Sequence, residues 1–363
     1  MIMSKIKFNR ALNKSACFTD IHFGAKLNSQ QHNQDNLDYL KWFIDIIKSD
    51  KEIDNIIFLG DYFENRNAID VLTLKYANEG ARMLDELGLP IIFIIGNHDL
   101  YYKNNRKIFS PTVFNPYKNF NLINEITTVH ASNTKFLVSP FLFNEEYGDL
   151  LEFLDYKVWF GHFEFKGFIV TGYNIKMPTG PNHALFNHQH RIFSGHFHKR
   201  QLNENVIYIG NTFPTNFADA GDMNRGCMIY DHNKDEPIFH NWDDCPTYIR
   251  TTLSQLLNKS SIRENILRPS GRVECMVDIP INYSESMYIK EKFIEDYELR
   301  DLVLKETPEI NDAIVETVAS ISETDLIDVD SLVLNMLENI SVEKIDNKKL
   351  ISEYTTIKAE FHD

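Results

Sequence analysis

The stretch "RIFSGHFHK" (191–199) sets two histidines, His196 and His198, one residue apart behind a short apolar run, with Gly195 at the junction. Such a run reads as a buried strand, and imidazoles just past its carboxyl end are either solvated loop residues or part of a metal pocket. Four other stretches bear on the choice. "FTDIHFG" (18–24) sets Asp20 and His22 behind an apolar run, and "FLGDYFENR" (58–66) does the same for Asp61. "IIGNHDL" (94–100) contributes Asn97, His98 and Asp99, and "WFGHFEF" (159–165) contributes His162. Open α/β sheets build their sites outside the carboxyl ends of strands. Five strand ends would therefore converge on one pocket.

The intervening sequence supplies the expected elements. "KSACFT" (14–19), "NIIFLG" (55–60) and "PIIFIIG" (90–96) read as buried strands. The segment 34–50 between the first two has Leu37, Leu40, Phe43, Ile44 and Ile47 at helical spacing, and 71–88 reads as a helix stopped by Gly88 and Pro90. From residue 120 onward strands predominate: 134–141, 157–161, 167–172, 191–195, 206–210 and 226–231. The pattern predicts an α/β fold, a two-sheet β-sandwich flanked by helices. This core would occupy residues 1–245, with Pro246 at its boundary; 246–305 reads as a small α/β unit, with a strand at 272–282 and a helix at 286–299. The remainder, 306–363, reads as an acidic linker followed by one or two helices.

Asp, Asn and His are oxygen and imidazole donors, and no thiolate is among them. That set suits manganese, iron(II) or zinc better than a structural cysteine–zinc site does. A shared carboxylate such as Asp61 can bridge two ions, and two ions about 3.5–4 Å apart can stabilise an in-line phosphoryl displacement. Gly60, Gly96, Gly161 and Gly195 precede four of the motifs and are expected to permit unusual backbone angles there. Each motif alone has a plainer reading: a loop-capping Asp61, a turn-forming Asn97, a solvated His162. Their order behind five strands favours the metal reading.

Composition narrows the class further. The chain has 363 residues, 43% hydrophobic, and a formal charge of -15. Residues 301–363 hold 15 acidic residues against 5 lysines, so most of the imbalance lies in the tail. An acidic whole argues against non-specific phosphate binding over the entire surface, though not against a local basic groove. Four scattered cysteines, Cys17, Cys227, Cys245 and Cys275, read as reduced thiols. With no apolar run of membrane length and no secretory signal pattern, a cytoplasmic location is expected. No GxxxxGK[ST] occurs, so the chain has no Walker-type nucleotide site of its own.

The ordered set DxH, GD, GNHD, GH and GHxH resembles the calcineurin-like metallophosphoesterases over roughly residues 14 to 242. The resemblance implies that Asp20, His22, Asp61 and His198 hold one divalent ion and that Asp61, Asn97, His162 and His196 hold the other. Mn2+ is expected, with Mg2+, Fe2+ and Zn2+ as alternatives. It implies that His98 stabilises the transition state or protonates the leaving oxygen, with Asp99 in support. "GNHDLYYKN" (96–104) and "YIGNTFPTNFADAGDMNRG" (208–226) are similar, within that superfamily, to SbcD-type DNA repair nucleases, and most of all to the tailed-phage recombination endonuclease subunit. The activity implied is 3′-to-5′ exonuclease with single-strand endonuclease activity, in a homodimer assembled with an SbcC-type, SMC-like ATPase. The protein-phosphatase branch carries GDxxDRG and GNHE. Glu64 after "GDYF", and Asp99 in place of the glutamate, depart from it and leave Glu64 without an assigned role. A phosphatase or cyclic-nucleotide phosphodiesterase on the same site, or a scaffold with a structural metal, are the rival readings.

Two peripheral segments carry expectations of their own. Tyr101, Tyr102, Lys103, Arg106 and Lys107 follow the GNHD motif and are candidates for base stacking and phosphate contact, with a solvated basic loop as the alternative. Thr212, Phe213 and Thr215 are expected in a substrate-side loop. In the tail, Leu332, Leu334, Leu337 and Ile340 form one apolar group and Leu350, Ile351 and Tyr354 another, at mostly helical spacing. They are expected to dock in a groove of the ATPase partner, since the resemblance implies one and the chain has no nucleotide site of its own, with packing on their own core as the alternative.

Overall fold

The computed structural model describes residues 4–170, 175–258, 266–306 and 347–360. The chain divides into two compact units, Met1–Glu306 and Thr307–Asp363. In the second unit one helix is described, Asn347–Glu360, which carries Leu350, Ile351 and Tyr354. Leu332, Leu334, Leu337 and Ile340 lie outside the described residues.

The first unit is built on two facing sheets. One runs β13-β12-β2-β3-β4-β5, with β2 at Lys14–Phe18, β3 at Ile53–Phe58, β4 at Ile91–Ile94, β5 at Phe120–Ile123, β12 at Gly226–Asp231 and β13 at Glu236–Asn241. The other runs β1-β6-β7-β8-β9-β11-β10, from β1 at Ser4–Lys7 through β6 at Thr127–His130, β7 at Lys135–Ser139, β8 at Val158–Gly161 and β9 at Arg191–Ser194 to β11 at Val206–Tyr208 and β10 at Gln201–Asn203. Strands β2 through β5 pair in parallel, as do β7, β8, β9 and β11, so their carboxyl ends lie along common edges.

Alternation along each strand divides the core. Ala16, Phe18, Ile56, Phe58, Ile91 and Phe93 face helices Gln30–Ser49 (α1) and Val71–Asp85 (α2), while Cys17, Ile57, Ile92 and Ile94 face the second sheet. From that sheet Phe136, Val138, Phe160 and Phe193 meet them, and Leu137, Trp159, Ile192 and Tyr208 point outward beneath 3-10 turns. Both faces of each central strand are covered, which is why the strands read as unbroken apolar runs.

Several boundaries differ from those expected. Helix α1 begins at Gln30, ahead of Gln34, because the Ser29 side chain accepts the His32 N–H. Helix α2 ends at Asp85, and a turn carries the chain to Gly88, whose φ of +69° breaks the helix. Of the expected strand at 167–172, residues 171 and 172 lie outside the described residues, and among the described ones an isolated Ile169–Lys176 bridge forms. Strands β1, β5, β6, β10 and β13 are too short or too polar to stand out in the sequence.

A third sheet, β14 (Tyr248–Thr252), β15 (Arg272–Val277) and β16 (Asp301–Glu306), is wholly parallel and packs with helices Leu253–Leu257 (α3) and Tyr283–Asp296 (α4). Arg300 joins it to α1 by donating both guanidinium nitrogens to the two carboxylate oxygens of Asp35, each at 2.6 Å.

Candidate metal centre

The five strand ends do converge. Asp20 and His22 follow β2, Asp61 follows β3 and Asn97 follows β4; His162 follows β8, and His196 and His198 follow β9. Asp20, His22, Asp61 and His162 are all at most 3% exposed, while His196 and His198 are partly open.

Reaching the pocket distorts the backbone. Asp20, His22, Asp61 and His196 adopt φ of 51°, 50°, 59° and 87°. Left-handed conformations of residues other than glycine cost on the order of 1 kcal/mol or more each and concentrate at functional sites. Of the four glycines before the motifs only Gly60 has a positive φ, 103°; the expectation of unusual angles fails for the other three. Their need is room. A Cβ on Gly96 would strike the backbone and carboxylate of Asp61, and one on Gly195 would strike Thr19 and the Leu59 carbonyl.

Two donor sets share Asp61. In the first, His22 Nε2 lies 3.1 Å from His198 Nε2, 3.8 Å from Asp20 Oδ1 and 4.0 Å from Asp61 Oδ2, and His198 Nε2 lies 3.9 Å from Asp20 Oδ1. In the second, His162 Nε2 lies 3.3 Å from Asp61 Oδ2, and Asn97 Oδ1 is 2.9 Å from both His162 Nε2 and His196 Nδ1. Ligand bonds of about 2.1 Å place two donors on one ion no more than about 4.2 Å apart. Each of these separations lies within that limit, and the ligand atoms of Asp20, His22 and His198, like those of Asp61, His162 and His196, all lie within 4.8 Å of one another, so each trio could hold a cation.

The rings of His162, His196 and His22 each turn one nitrogen toward the pocket. His162 Nδ1–H donates to the Leu59 carbonyl at 2.7 Å, and a carbonyl only accepts, so Nε2 faces Asp61. His196 is held the other way round, with Nε2 3.0 Å from Glu164 Oε2 and Nδ1 facing Asn97. Glu64 Oε2 sits 2.7 Å from His22 Nδ1, leaving Nε2 for the pocket. Such carboxylate–histidine pairs orient a ligand and raise its basicity. Sequence reasoning passes over Glu164, although it stands two residues after His162 in "GHFEF"; Glu64 acquires a contact that the sequence could not supply.

The buried carboxylates and imidazoles shift one another's protonation. Burial alone would raise the Asp61 carboxyl, but the neighbouring imidazoles of His162, His98 and His22 outweigh it and hold Asp61 well below the usual range. Burial would lower His162, yet the Asp61 charge pushes it up to about 9. At His198, burial and the neighbouring His22 depress the imidazole to about 4. The close bond to His22 takes Glu64 down to about 2. Bringing a divalent ion to such a set displaces protons from the imidazoles.

His98 lies at the mouth. Its ring Nδ1–H donates to the Glu64 carbonyl at 2.8 Å and its backbone N–H to Asp61 Oδ1 at 2.8 Å. Asp99, expected to support the His98 ring, instead accepts four backbone N–H bonds, from Asp61, Tyr62, Phe63 and Gly96, at 2.9–3.2 Å. It ties the two ligand loops together. Burial with the Asp61 charge beside it pushes its carboxyl up to about 7, against the pull of those donors.

A cavity of about 690 Å³ adjoins His98 and is lined by Glu64, Arg66, Tyr101 and Lys103 among others. Tyr101 and Tyr102 are exposed and meet edge to face with centroids 4.8 Å apart; Lys103 and Lys107 are exposed too. Arg106 is engaged elsewhere: it forms a two-pronged pair with Glu146, donates to the Phe141 and Asn124 carbonyls at 2.8 and 3.0 Å and lies over Phe143. Thr212 and Phe213 are buried, at 1% each, with Phe213 packed on His32 and Trp242. They belong to the core and not to a substrate-side loop.

A pocket of oxygen and imidazole donors in two sets, on the joined edges of an α/β sandwich, is the hallmark of the metallophosphoesterases. The chain belongs to the calcineurin-like phosphoesterase family, whose profile matches residues 14–200. Exonuclease subunit 1 of Enterobacteria phage T4 is 29% identical over 224 residues, covering 61% of this chain and 65% of that relative, just under two thirds of its length. Among solved structures, a dimetal phosphatase from Danio rerio (10% identity, 60% of this chain and 92% of that one) gives a TM-score of 0.42. An archaeal phosphodiesterase (12% identity, 63% and 99%) gives 0.35, and a Pseudomonas putida nuclease MPE (14%, 62% and 87%) gives 0.29. Among the described residues no helix is long and apolar enough to cross a membrane.

Proposed function

We propose that this metallophosphoesterase is a two-metal phosphodiesterase acting on DNA, a 3′-to-5′ exonuclease with single-strand endonuclease activity. The observation that carries the reading is the pair of donor clusters beside His98, with Asp61 Oδ2 within 4.0 Å of a histidine of each, in a chain similar to a phage exonuclease subunit. Two divalent ions, Mn2+ in this reading, would supply Lewis-acid polarisation of a phosphate oxygen and activation of water. Asp20, His22, Asp61 and His198 would hold one, and Asp61, Asn97, His162 and His196 the other. His98 would act on the departing oxygen: with Nδ1–H fixed on the Glu64 carbonyl, Nε2 is the nitrogen left for proton exchange. Glu64 and Glu164 orient their imidazoles, and Asp99 keeps the two loops in register. Tyr101, Tyr102, Lys103 and Lys107 offer stacking faces and phosphate partners beside the His98 cavity.

The wider assembly is proposed on the same relatedness. Residues 1–245 would be the nuclease core, 246–305 a DNA-capping unit and 306–363 the segment that binds an SbcC-type ATPase, within a cytoplasmic complex containing two copies of this chain. The test is side by side: purified protein with Mn2+, offered labelled DNA and a small chromogenic phosphodiester. Shortening of DNA from its 3′ ends supports the reading. Turnover of the small diester with intact DNA would favour a phosphatase or cyclic-nucleotide phosphodiesterase.

A further inference from the structure

Three of the four ligand imidazoles are oriented through a ring nitrogen: His22 by Glu64, His162 by the Leu59 carbonyl and His196 by Glu164. His198 has no such ring acceptor among the described residues, and a third of its side chain is exposed. It is held instead through its backbone. The His198 carbonyl accepts the Asn211 N–H at 3.0 Å and a guanidinium N–H of Arg225.

Arg225 is 1% exposed, an unusual place for a guanidinium. Burying the charge is costly unless it is paired and hydrogen-bonded. Here Nη2 donates to Asp219 Oδ1 at 3.0 Å and to Asp222 Oδ2 at 3.1 Å, while Nη1 donates to Asn211 Oδ1 at 2.6 Å as well as to His198. Asp219 is fixed in turn by the Thr215 N–H at 3.0 Å, and the Arg225 carbonyl accepts the Trp242 N–H at 3.0 Å. One side chain thus joins the carbonyl of a ligand residue to the loop 211–225 and to the start of β12. A neutral side chain of similar size would leave the buried Asp219 carboxylate, the partly exposed Asp222 carboxylate and the His198 carbonyl without that partner.

We infer that Arg225 is a positioning residue for the metal centre, setting His198, and through it the ion shared with Asp20 and His22, by way of a backbone carbonyl. The inference rests on the two-metal reading of the site but not on its substrate. Asn97, His162 and His196, which would hold the other ion, are not hydrogen-bonded to Arg225, Asp219 or Asp222. An effect confined to one of two ions therefore separates positioning from general damage to the fold.

The experiment is a calorimetric titration of metal-free, full-length protein with Mn2+, accompanied by near-UV circular dichroism. Arg225→Met should weaken one of the two ions by about 10–100-fold, the size expected for loss of an outer partner of a ligand, and leave the other within about threefold. Arg225→Lys, which keeps the charge and one donor, should recover part of the loss. Native circular dichroism with wild-type affinity for both ions in Arg225→Met overturns the inference, and so does equal weakening of both ions. If Arg225→Met does not fold, Asp219→Asn decides by the same two criteria, because it loosens Arg225 without removing it. Since the readout is bound metal, a protein that binds two ions but leaves DNA intact would refute the nuclease proposal and leave this one standing.

Discussion

Asp61 uses both oxygens of one carboxylate: Oδ1 accepts the His98 N–H, and Oδ2 faces His162 and His22 across the two donor sets. His98 contributes its ring only at the mouth. The two should therefore respond differently to substitution. Asp61→Asn is expected to lose bound metal together with activity. His98→Ala should keep both ions while turnover falls about 10²–10⁴-fold, the usual contribution of a general acid. Elemental analysis of the two variants beside their rates is the check; equal metal loss would remove His98 from its assigned role. At this scale the sequence is most informative about donor chemistry, because Asp, Asn and His announce themselves by type behind apolar runs. It is silent on what turns each ring. Glu64 and Arg225 stand 42 and 27 positions from the histidines they contact, counting from His22 and His198 in the numbering, and only the fold brings them together. Left-handed backbone at Asp20, His22, Asp61 and His196 is equally hidden, since nothing in Asp or His requires it.

Loops and strands carry the next set of consequences. The sequence leads one to expect three free basic groups in the loop after β4, but Arg106 braces it against Glu146. Replacing Lys103 and Lys107 with alanine should lower the slope of log affinity against log salt by up to about 2 on duplex DNA, roughly one unit for each phosphate no longer neutralised. Hydrolysis of a small diester should be little changed. An unaltered salt slope would make these lysines a solvated surface. Far from the centre, His232 follows β12, with Nε2 2.7 Å from Ser15 Oγ and its ring stacked on Phe136. Burial depresses this imidazole to about 4. Below the ordinary pKa of about 6.5 the unfolded chain takes up a proton that the folded protein refuses until about pH 4. Stability from this group is therefore complete above that window and falls as pH drops through it, by about 2–3 kcal/mol. Urea midpoints at pH 7 and pH 4.5 should diverge less in His232→Gln than in the parent; an identical divergence would exclude His232 as a source. Element type is legible where helical or strand period runs long, as in α1, β3 and β4. The short polar-edged strands, and a helix start governed by Ser29, are not, because pairing and capping decide them more than period does.

On the scale of the whole molecule, the change from strand–helix alternation to successive strands discloses two sheets. It does not disclose which strands meet. That pairing gives the donor sets a property beyond chemistry. Asp20, His22, Asp61 and Asn97 descend from the sheet under the helices, while His162, His196 and His198 descend from the opposing one. Each set draws on both, and the His196 N–H already bridges the seam to Asp20 at 3.0 Å. A cation bound there would be a cross-link, and its occupancy would be linked to the cooperativity of unfolding. At a hundredfold excess over Kd, each ion would add about 2.7 kcal/mol of stability if only the folded chain binds it. Amide exchange should register where that energy goes: on removing Mn2+ by chelation, protection should fall at the Asp20 and Gly195 amides on both sides of the seam before it falls along β14–β16. Protection lost in one sheet alone would mean that the halves open independently. Loss on both sides together would mean that the reagents of catalysis also serve as the rivets of the sandwich, so that metal starvation loosens the architecture as well as silencing the chemistry.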